Sequence, residues 1–179
     1  MTAQARAAYG GAPGTKLLEI GQGQMEVSAD PAVEMTATLG SCISVCLWSP
    51  SAGCGGMNHI FRSVAPGPMG DAAVVAEVEK LVNALMRHGA KRSEMAARVV
   101  GGAHVLLRGR NHGMAIGEAC MNYLSNEGFQ IVGVSIGGER ARRVRFHPVS
   151  GKLAVGLMAD IHTPEDPAPP DKGNDVEMF

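Results

Sequence analysis

The chain has 179 residues, of which 45% are hydrophobic, 18% charged and 4% aromatic, with a formal net charge of −1. That length suits one domain able to bury its core without staples. The missing basic surplus excludes a phosphate-backbone binder, and the few aromatics exclude a base-stacking platform, so no nucleic-acid partner is expected. No apolar run approaches the roughly 20 residues of a membrane span, so no membrane insertion is expected. The opening, Met1-Thr2-Ala3-Gln4-Ala5-Arg6, lacks a charged segment followed by an apolar run and cleavage site. The expectation is a cytoplasmic protein whose four cysteines are thiols.

Residues 1–14 are small, polar and glycine-rich, and read as a disordered segment. Strands are predicted at Lys16–Ile20, Gln24–Val27, Val33–Thr38, Ile43–Trp48 and Gly56–Phe61 from their apolar and β-branched content. The Ile43–Trp48 run is apolar except at Ser44 and Cys46. A helix follows, with Asp71 as its N-cap, a stripe of Val74, Val78, Leu81, Val82 and Leu85, and Gly89 as its stop. Arg98–Leu107 reads as a strand. A second helical stripe joins Ile116, Ala119, Cys120, Tyr123 and Leu124 and stops at Gly128. Gln130–Ile136, Arg142–Phe146 and Lys152–Met158 complete the strands. From 161 to 179 the chain is proline- and acid-rich and reads as a disordered tail. The folded domain is therefore 15–160. Strands before, between and after two helices predict α/β (α+β) layering: a sandwich of mixed or antiparallel sheets with two main helices.

Cys42 carries the sharpest chemical signal. A cysteine attacks as its thiolate, and a partner histidine or helix N-terminus can make that form accessible. Gly40 and Ser41 before it allow a tight turn, which can aim backbone N–H groups at an oxyanion. His59 follows Gly55-Gly56-Met57-Asn58, seventeen residues after Cys42, and is the candidate base. A hydroxyl or a backbone carbonyl could fix its other ring nitrogen, with Thr36 or Thr38 available upstream. Either residue also has an ordinary role, Cys42 as a small buried hydrophobe and His59 as a histidine satisfied by a carbonyl.

Cys42, Cys46, Cys54 and His59 are also ligands of zinc type. Strand geometry opposes that reading, because four strand residues span roughly 13 Å while two sulfurs on one ion each lie about 2.3 Å from it. Cys46, Cys54 and Cys120 read as packing. Arg140, Arg142, Arg143 and Arg145 read as a solvated strand edge. Gly101-Gly102 and Gly137-Gly138 read as places of turn or close backbone approach.

The set Thr36-x-Thr38-Leu39-Gly40-Ser41-Cys42-Ile43-Ser44-Val45-Cys46-Leu47, then Gly55-Gly56-Met57-Asn58-His59, resembles the CheD family of chemoreceptor glutamine deamidases. Gly89-Ala90, Val100-Gly101-Gly102-Ala103, Ile116-Gly117, Gly137-Gly138-x-x-Ala141-Arg142 and Gly151-Lys152-Leu153 extend the resemblance over about 15–158. It departs from the family at Ala119-Cys120, at Ser135 and in the short loop toward Gly70.

The resemblance implies the layered fold of cysteine deamidases and hydrolysis of glutamine side chains on the cytoplasmic helices of chemoreceptors. Cys42 would be the nucleophile, His59 the base and Thr36 the third active-site member, with Gly40, Ser41 and Asn58 around the oxyanion turn. No cofactor and no metal are implied. A CheC-type phosphatase is an implied partner. The competing reading is a non-catalytic module of the same fold that regulates such a phosphatase or a receptor.

Overall fold

The computed structural model describes residues 14–61, 68–105 and 112–158. The expected disordered segments at either end lie outside the described residues, Gly14 excepted, as do residues 106 and 107 of the expected Arg98–Leu107 strand. The elements run β1 (Lys16–Glu19), β2 (Met25–Ser28), β3 (Val33–Leu39), β4 (Ile43–Ser49), β5 (Cys54–Asn58), α1 (Pro68–Arg87), β6 (Ala96–Gly101), α2 (His112–Asn126), β7 (Gln130–Ile136), β8 (Arg142–His147) and β9 (Lys152–Leu157). One sheet has the order β1-β3-β8-β9 and the other β2-β5-β4-β6-β7. Both are mixed: β1–β3 and β6–β7 are parallel, and the remaining pairs are antiparallel. This is the α+β sandwich expected from the order of elements.

The five-stranded sheet lies between two covers. α1 packs on β2, β4 and β5, and α2 on β4, β6 and β7. On that face Ile43, Val45 and Leu47 of β4 meet Val78, Leu81 and Leu85 of α1 and Ile116, Cys120 and Leu124 of α2. On the other face Cys42, Cys46, Trp48 and Met57 meet Met35, Ala37, Leu39, Val144 and Phe146 of the four-stranded sheet. All seven residues of β4 are therefore buried. This explains why its sequence is apolar almost throughout rather than alternating.

Both helices end as their glycines predicted. Gly89 has φ of 91°, Gly89 N donates to Met86 O at 3.0 Å, and Ala90 N donates to Leu85 O at 3.2 Å. Gly128 repeats the pattern with Ser125 and Leu124. These are the paired bonds of a Schellman ending, which satisfy the last carbonyls of the helix. The start of α1 differs from expectation. The helix begins at Pro68, so Asp71 lies within its first turn rather than at its cap. Proline fixes the helical φ and needs no N–H there, while the Asp71 charge still faces the positive end of the helix.

Arg142, Arg143 and Arg145 of the arginine run do not line a solvated edge, whereas Arg140 precedes their strand and is exposed. β8 is an inner strand between β3 and β9, and Arg142 and Arg145 are buried. Alternation sends Arg143 to Glu19 and Arg145 to Glu34 on one face, while Arg142 donates to Ser135 Oγ at 3.3 Å on the other.

All four cysteines are free and buried. Burial pushes the Cys46 and Cys120 thiols up to about 12. The folded state thus keeps protons that the unfolded chain releases above about 8.5. Stability is complete below that pH and falls as pH rises from there towards 12. The slope is about 1.4 kcal/mol per pH unit for each such thiol. Urea titrations at pH 8 and pH 10 should show the loss, reduced when Cys46 and Cys120 are both replaced by alanine.

Candidate active site

Residues Gly40–Cys42 carry the chain from β3 in one sheet to β4 in the other. This corner is held from outside. Ala103 N donates to Gly40 O at 2.8 Å, and Gly102 N donates to Cys42 O at 2.7 Å. The close approach needs glycine: a Cβ on Gly101, whose φ is 118°, would run into the Cys42 carbonyl. A Cβ on Gly113, in the first turn of α2, would lie 2.7 Å from Ser41 O. The Gly101-Gly102 pair is therefore the cradle of the cysteine corner, and no phosphate loop is needed to explain it. With these carbonyls engaged, the N–H groups of Ser41 and Cys42 donate to no acceptor among the described residues. Gly101→Ala should cost about 1–3 kcal/mol through the disfavoured φ and the collision. Thermal unfolding checks the stability loss, and the alkylation rate of Cys42 reads the displaced corner.

His59 follows the last residue of β5. The pairings Cys46↔Met57 and Ile43↔Ile60 keep one register, which sets Ser44 opposite His59. Cys42 lies two residues along from Ser44, hence on the same face and diagonal to His59. Such diagonal neighbours have a separation of about 7–8 Å, within reach of an imidazole and a thiol that lean together.

The ring is held on one side only. His59 Nδ1 lies 2.9 Å from the backbone carbonyl of Ile20. A carbonyl only accepts, so Nδ1 carries a proton, and in the neutral ring the lone pair is on Nε2. Nε2 is buried and has no hydrogen-bond partner among the described residues. Most buried polar atoms in proteins have a partner, so this one calls for an explanation. The main chain is pinned as well, with His59 N donating to Gln24 O at 2.9 Å and Gly23 N donating to His59 O at 2.8 Å.

The other expected site residues are placed differently. The Thr36 hydroxyl donates to Val144 O at 2.8 Å, away from the imidazole. Thr36 reaches the site through its backbone: Ile20 N donates to Thr36 O at 2.8 Å, and the carbonyl of that same Ile20 takes the His59 proton. The Asn58 side chain does not join Cys42. Its Oδ1 accepts from Val45 N at 2.8 Å and its Nδ2 donates to Glu77 O at 3.4 Å, tying β4, β5 and α1 on the helix face of the sheet. Gln22 is a contact that the sequence did not single out. Its Nε2 donates to Cys42 Sγ at 3.8 Å. Ile20 acts through a carbonyl, which every residue has, and Gln22 through a turn that only the fold brings near; neither left a mark in residue type.

Cys42 is 5% exposed. Burial pushes its thiol up from the ordinary value, and the Gln22 amide only partly opposes this. Burial thus favours the neutral thiol at rest, and attack by this sulfur would require proton transfer to a neighbouring base. The rate of iodoacetamide alkylation at Cys42 should rise with pH through a midpoint above the roughly 8.5 of a free cysteine. A midpoint below that value would contradict this electrostatic picture. Among the described residues no three His, Cys, Asp or Glu side chains gather as metal ligands.

A family profile described as CheD chemotactic sensory transduction matches residues 70–156, which lie downstream of both Cys42 and His59. Whole-length relatives extend the similarity across them. A protein of Agrobacterium fabrum is 35% identical over 175 residues, covering 92% of this chain and 97% of that relative. One from Caulobacter vibrioides is 36% identical, covering 90% of this chain and 92% of its own length. One from Caulobacter sp. strain K31 is 36% identical over 190 residues and covers both chains completely. Each bears the name probable chemoreceptor glutamine deamidase CheD. Among solved structures, YlmD from Geobacillus stearothermophilus superposes with a TM-score of 0.45 at 15% identity, over 70% of this chain and 60% of that one. The whole-length similarity to these relatives, with the profile match in the second half, shows that the chain belongs to the CheD family.

Proposed function

We propose that this protein hydrolyses glutamine side chains of chemoreceptors to glutamate, releasing ammonia. The observation that carries the proposal is the buried Nε2 of His59, left without a donor on the face of the sheet that also bears Cys42, while Nδ1 is fixed by Ile20 O. The names of the relatives supply the substrate.

Each step then has a group to perform it. His59 Nε2 takes the proton of Cys42, and the sulfur attacks the carboxamide carbon. The oxyanion forms against the N–H groups of Ser41 and Cys42. His59 returns the proton to the departing nitrogen, which leaves as ammonia. Water activated by His59 then cleaves the γ-glutamyl thioester. The product places a new negative charge on a receptor helix, where like-charge pairs shift stability by about 0.2–0.5 kcal/mol each. The substrate lies on cytoplasmic helices, so the reaction belongs in the cytoplasm. Among the described residues no helix is long and apolar enough to cross a membrane.

Thr36 enters as a positioning residue, through Ile20, whose carbonyl orients His59. Thr36→Val leaves its backbone bond to Ile20 intact and removes the hydroxyl bond to Val144 O, while the pairing of Val144 with β3 and β9 remains. It should cost about 0.5–1.5 kcal/mol of stability. Its turnover should stay within roughly tenfold of the wild type, since no group touching the substrate is lost. Thermal unfolding and ammonia release, measured on the same preparation, separate the two effects.

Ammonia release from a receptor cytoplasmic fragment tests the activity. The wild type should release it and Cys42→Ala should not. Binding of the fragment without ammonia from either protein would favour the regulatory module instead. A CheC-type phosphatase partner is proposed on the family resemblance alone; copurification of the two chains from the same organism tests it.

A further inference from the structure

The turn between β1 and β2 reads Gly21-Gln22-Gly23-Gln24, and its two glutamines have different fates. Gln24 closes the turn on itself: its Oε1 accepts from Gly21 N at 2.9 Å and its backbone N donates to Gly21 O at 3.0 Å. Gln22 takes no part in that closure. Its exposed side chain reaches to Cys42, with Nε2 3.8 Å from Sγ. The same stretch holds the base, through Ile20 O on Nδ1 and through Gly23 and Gln24 on the His59 backbone. Five residues therefore hold the imidazole and also deliver a glutamine carboxamide to the thiol.

We propose that Gln22 is itself a substrate of Cys42, so that the protein converts its own Gln22 to glutamate. This rests on the deamidase reading above. The reactive carbon is one bond beyond the amide nitrogen that already touches the sulfur. The turn backbone is held, so rotation about the torsions of the exposed Gln22 side chain is what brings it closer. Tethering replaces a bimolecular encounter with an intramolecular one, for which effective molarities reach about 10⁵ M or more in well-aligned cases.

The step balances without a co-reactant other than water. The Sγ proton passes to His59 Nε2 as the bond from Sγ to Cδ forms. The tetrahedral centre collapses, the bond from Cδ to Nε2 breaks, and the nitrogen takes the His59 proton and leaves as ammonia. Water, deprotonated by His59, adds to the thioester. The bond from Sγ to Cδ then breaks and the sulfur regains its proton. The Gln22 amide exposed to solvent has that water at hand. The product carboxylate stands beside Cys42 and disfavours the thiolate, so a converted molecule is slower than a fresh one.

The test incubates the purified full chain at neutral pH in heavy-oxygen water, with a receptor cytoplasmic fragment in a parallel tube, and maps peptides by mass spectrometry. The expected result is conversion of Gln22 with one heavy oxygen incorporated, Gln24 unchanged, and complete loss of conversion in Cys42→Ala. Should Cys42→Ala fold poorly, Cys42→Ser serves as the control. Gln22→Glu should be alkylated at Cys42 several-fold more slowly than the wild type at the same pH. Conversion of the receptor fragment with Gln22 left intact would overturn the inference and leave the deamidase reading standing. Conversion of Gln22 that persists without the thiol would also overturn it. Failure to convert either substrate would remove the deamidase reading, and this inference with it.

Discussion

Replacing Cys42 by alanine should reduce receptor deamidation by on the order of 10⁴-fold or more, because the covalent route loses its nucleophile. The fold should survive the change. Cys42 lies at the edge of the inter-sheet core, and deleting its sulfur removes about 1 kcal/mol of packing. The backbone bonds that hold the corner, from Ala103 N to Gly40 O and from Gly102 N to Cys42 O, do not involve the side chain. Ammonia release and thermal unfolding of the same variant make the check. An active Cys42→Ala protein would remove the thioester from the mechanism, and a merely unfolded one would show itself in the unfolding trace.

His59→Asn should lower the rate by about 10²–10⁴-fold, the range for losing a positioned acid–base group. The asparagine amide nitrogen takes the place of Nδ1 and can still donate to the Ile20 carbonyl, so most of the stability should remain. His59→Ala strands that carbonyl as well and should cost a further 1–2 kcal/mol or so. The two variants thus share a catalytic defect and differ in stability. A purely structural histidine would leave the Asn variant close to wild type in rate.

The sequence and the structure agree where a local rule decides the outcome. Gly89 and Gly128 stop their helices because the Schellman ending wants a left-handed residue. The strand from Ile43 is recognisable by its branched and aromatic side chains. Where tertiary context decides, residue type is silent. Ser44 and Cys46 gave β4 a hint of alternation, but a strand covered by helices on one side and a sheet on the other is buried at every position. The arginine run was expected at a solvated edge. Its Arg142, Arg143 and Arg145 belong to an inner strand, where pairing across β3 buries Arg145 against Glu34.

The site divides the same way. Cys42 and His59 could be picked out as chemical types, and the shared register sets them diagonally on one face. The group that orients the imidazole is the carbonyl of Ile20, the residue just past β1, where the only sequence signal is apolar character. Thr36 stands behind it through the backbone, and the Asn58 side chain is spent on joining β4 to α1. An amide side chain next to a histidine looked like an oxyanion donor, but alternation along the strand turns neighbouring residues to opposite faces.

The central claim is that the Cys42–His59 pair turns receptor glutamine into glutamate. The most direct measurement incubates the protein with a chemoreceptor cytoplasmic fragment from the same organism and locates Gln→Glu conversion by peptide mass spectrometry, with Cys42→Ala alongside. Conversion at defined glutamines by the wild type alone is the expected result. Unchanged glutamines in every receptor of that organism, with the protein folded and Cys42 reduced, would contradict it.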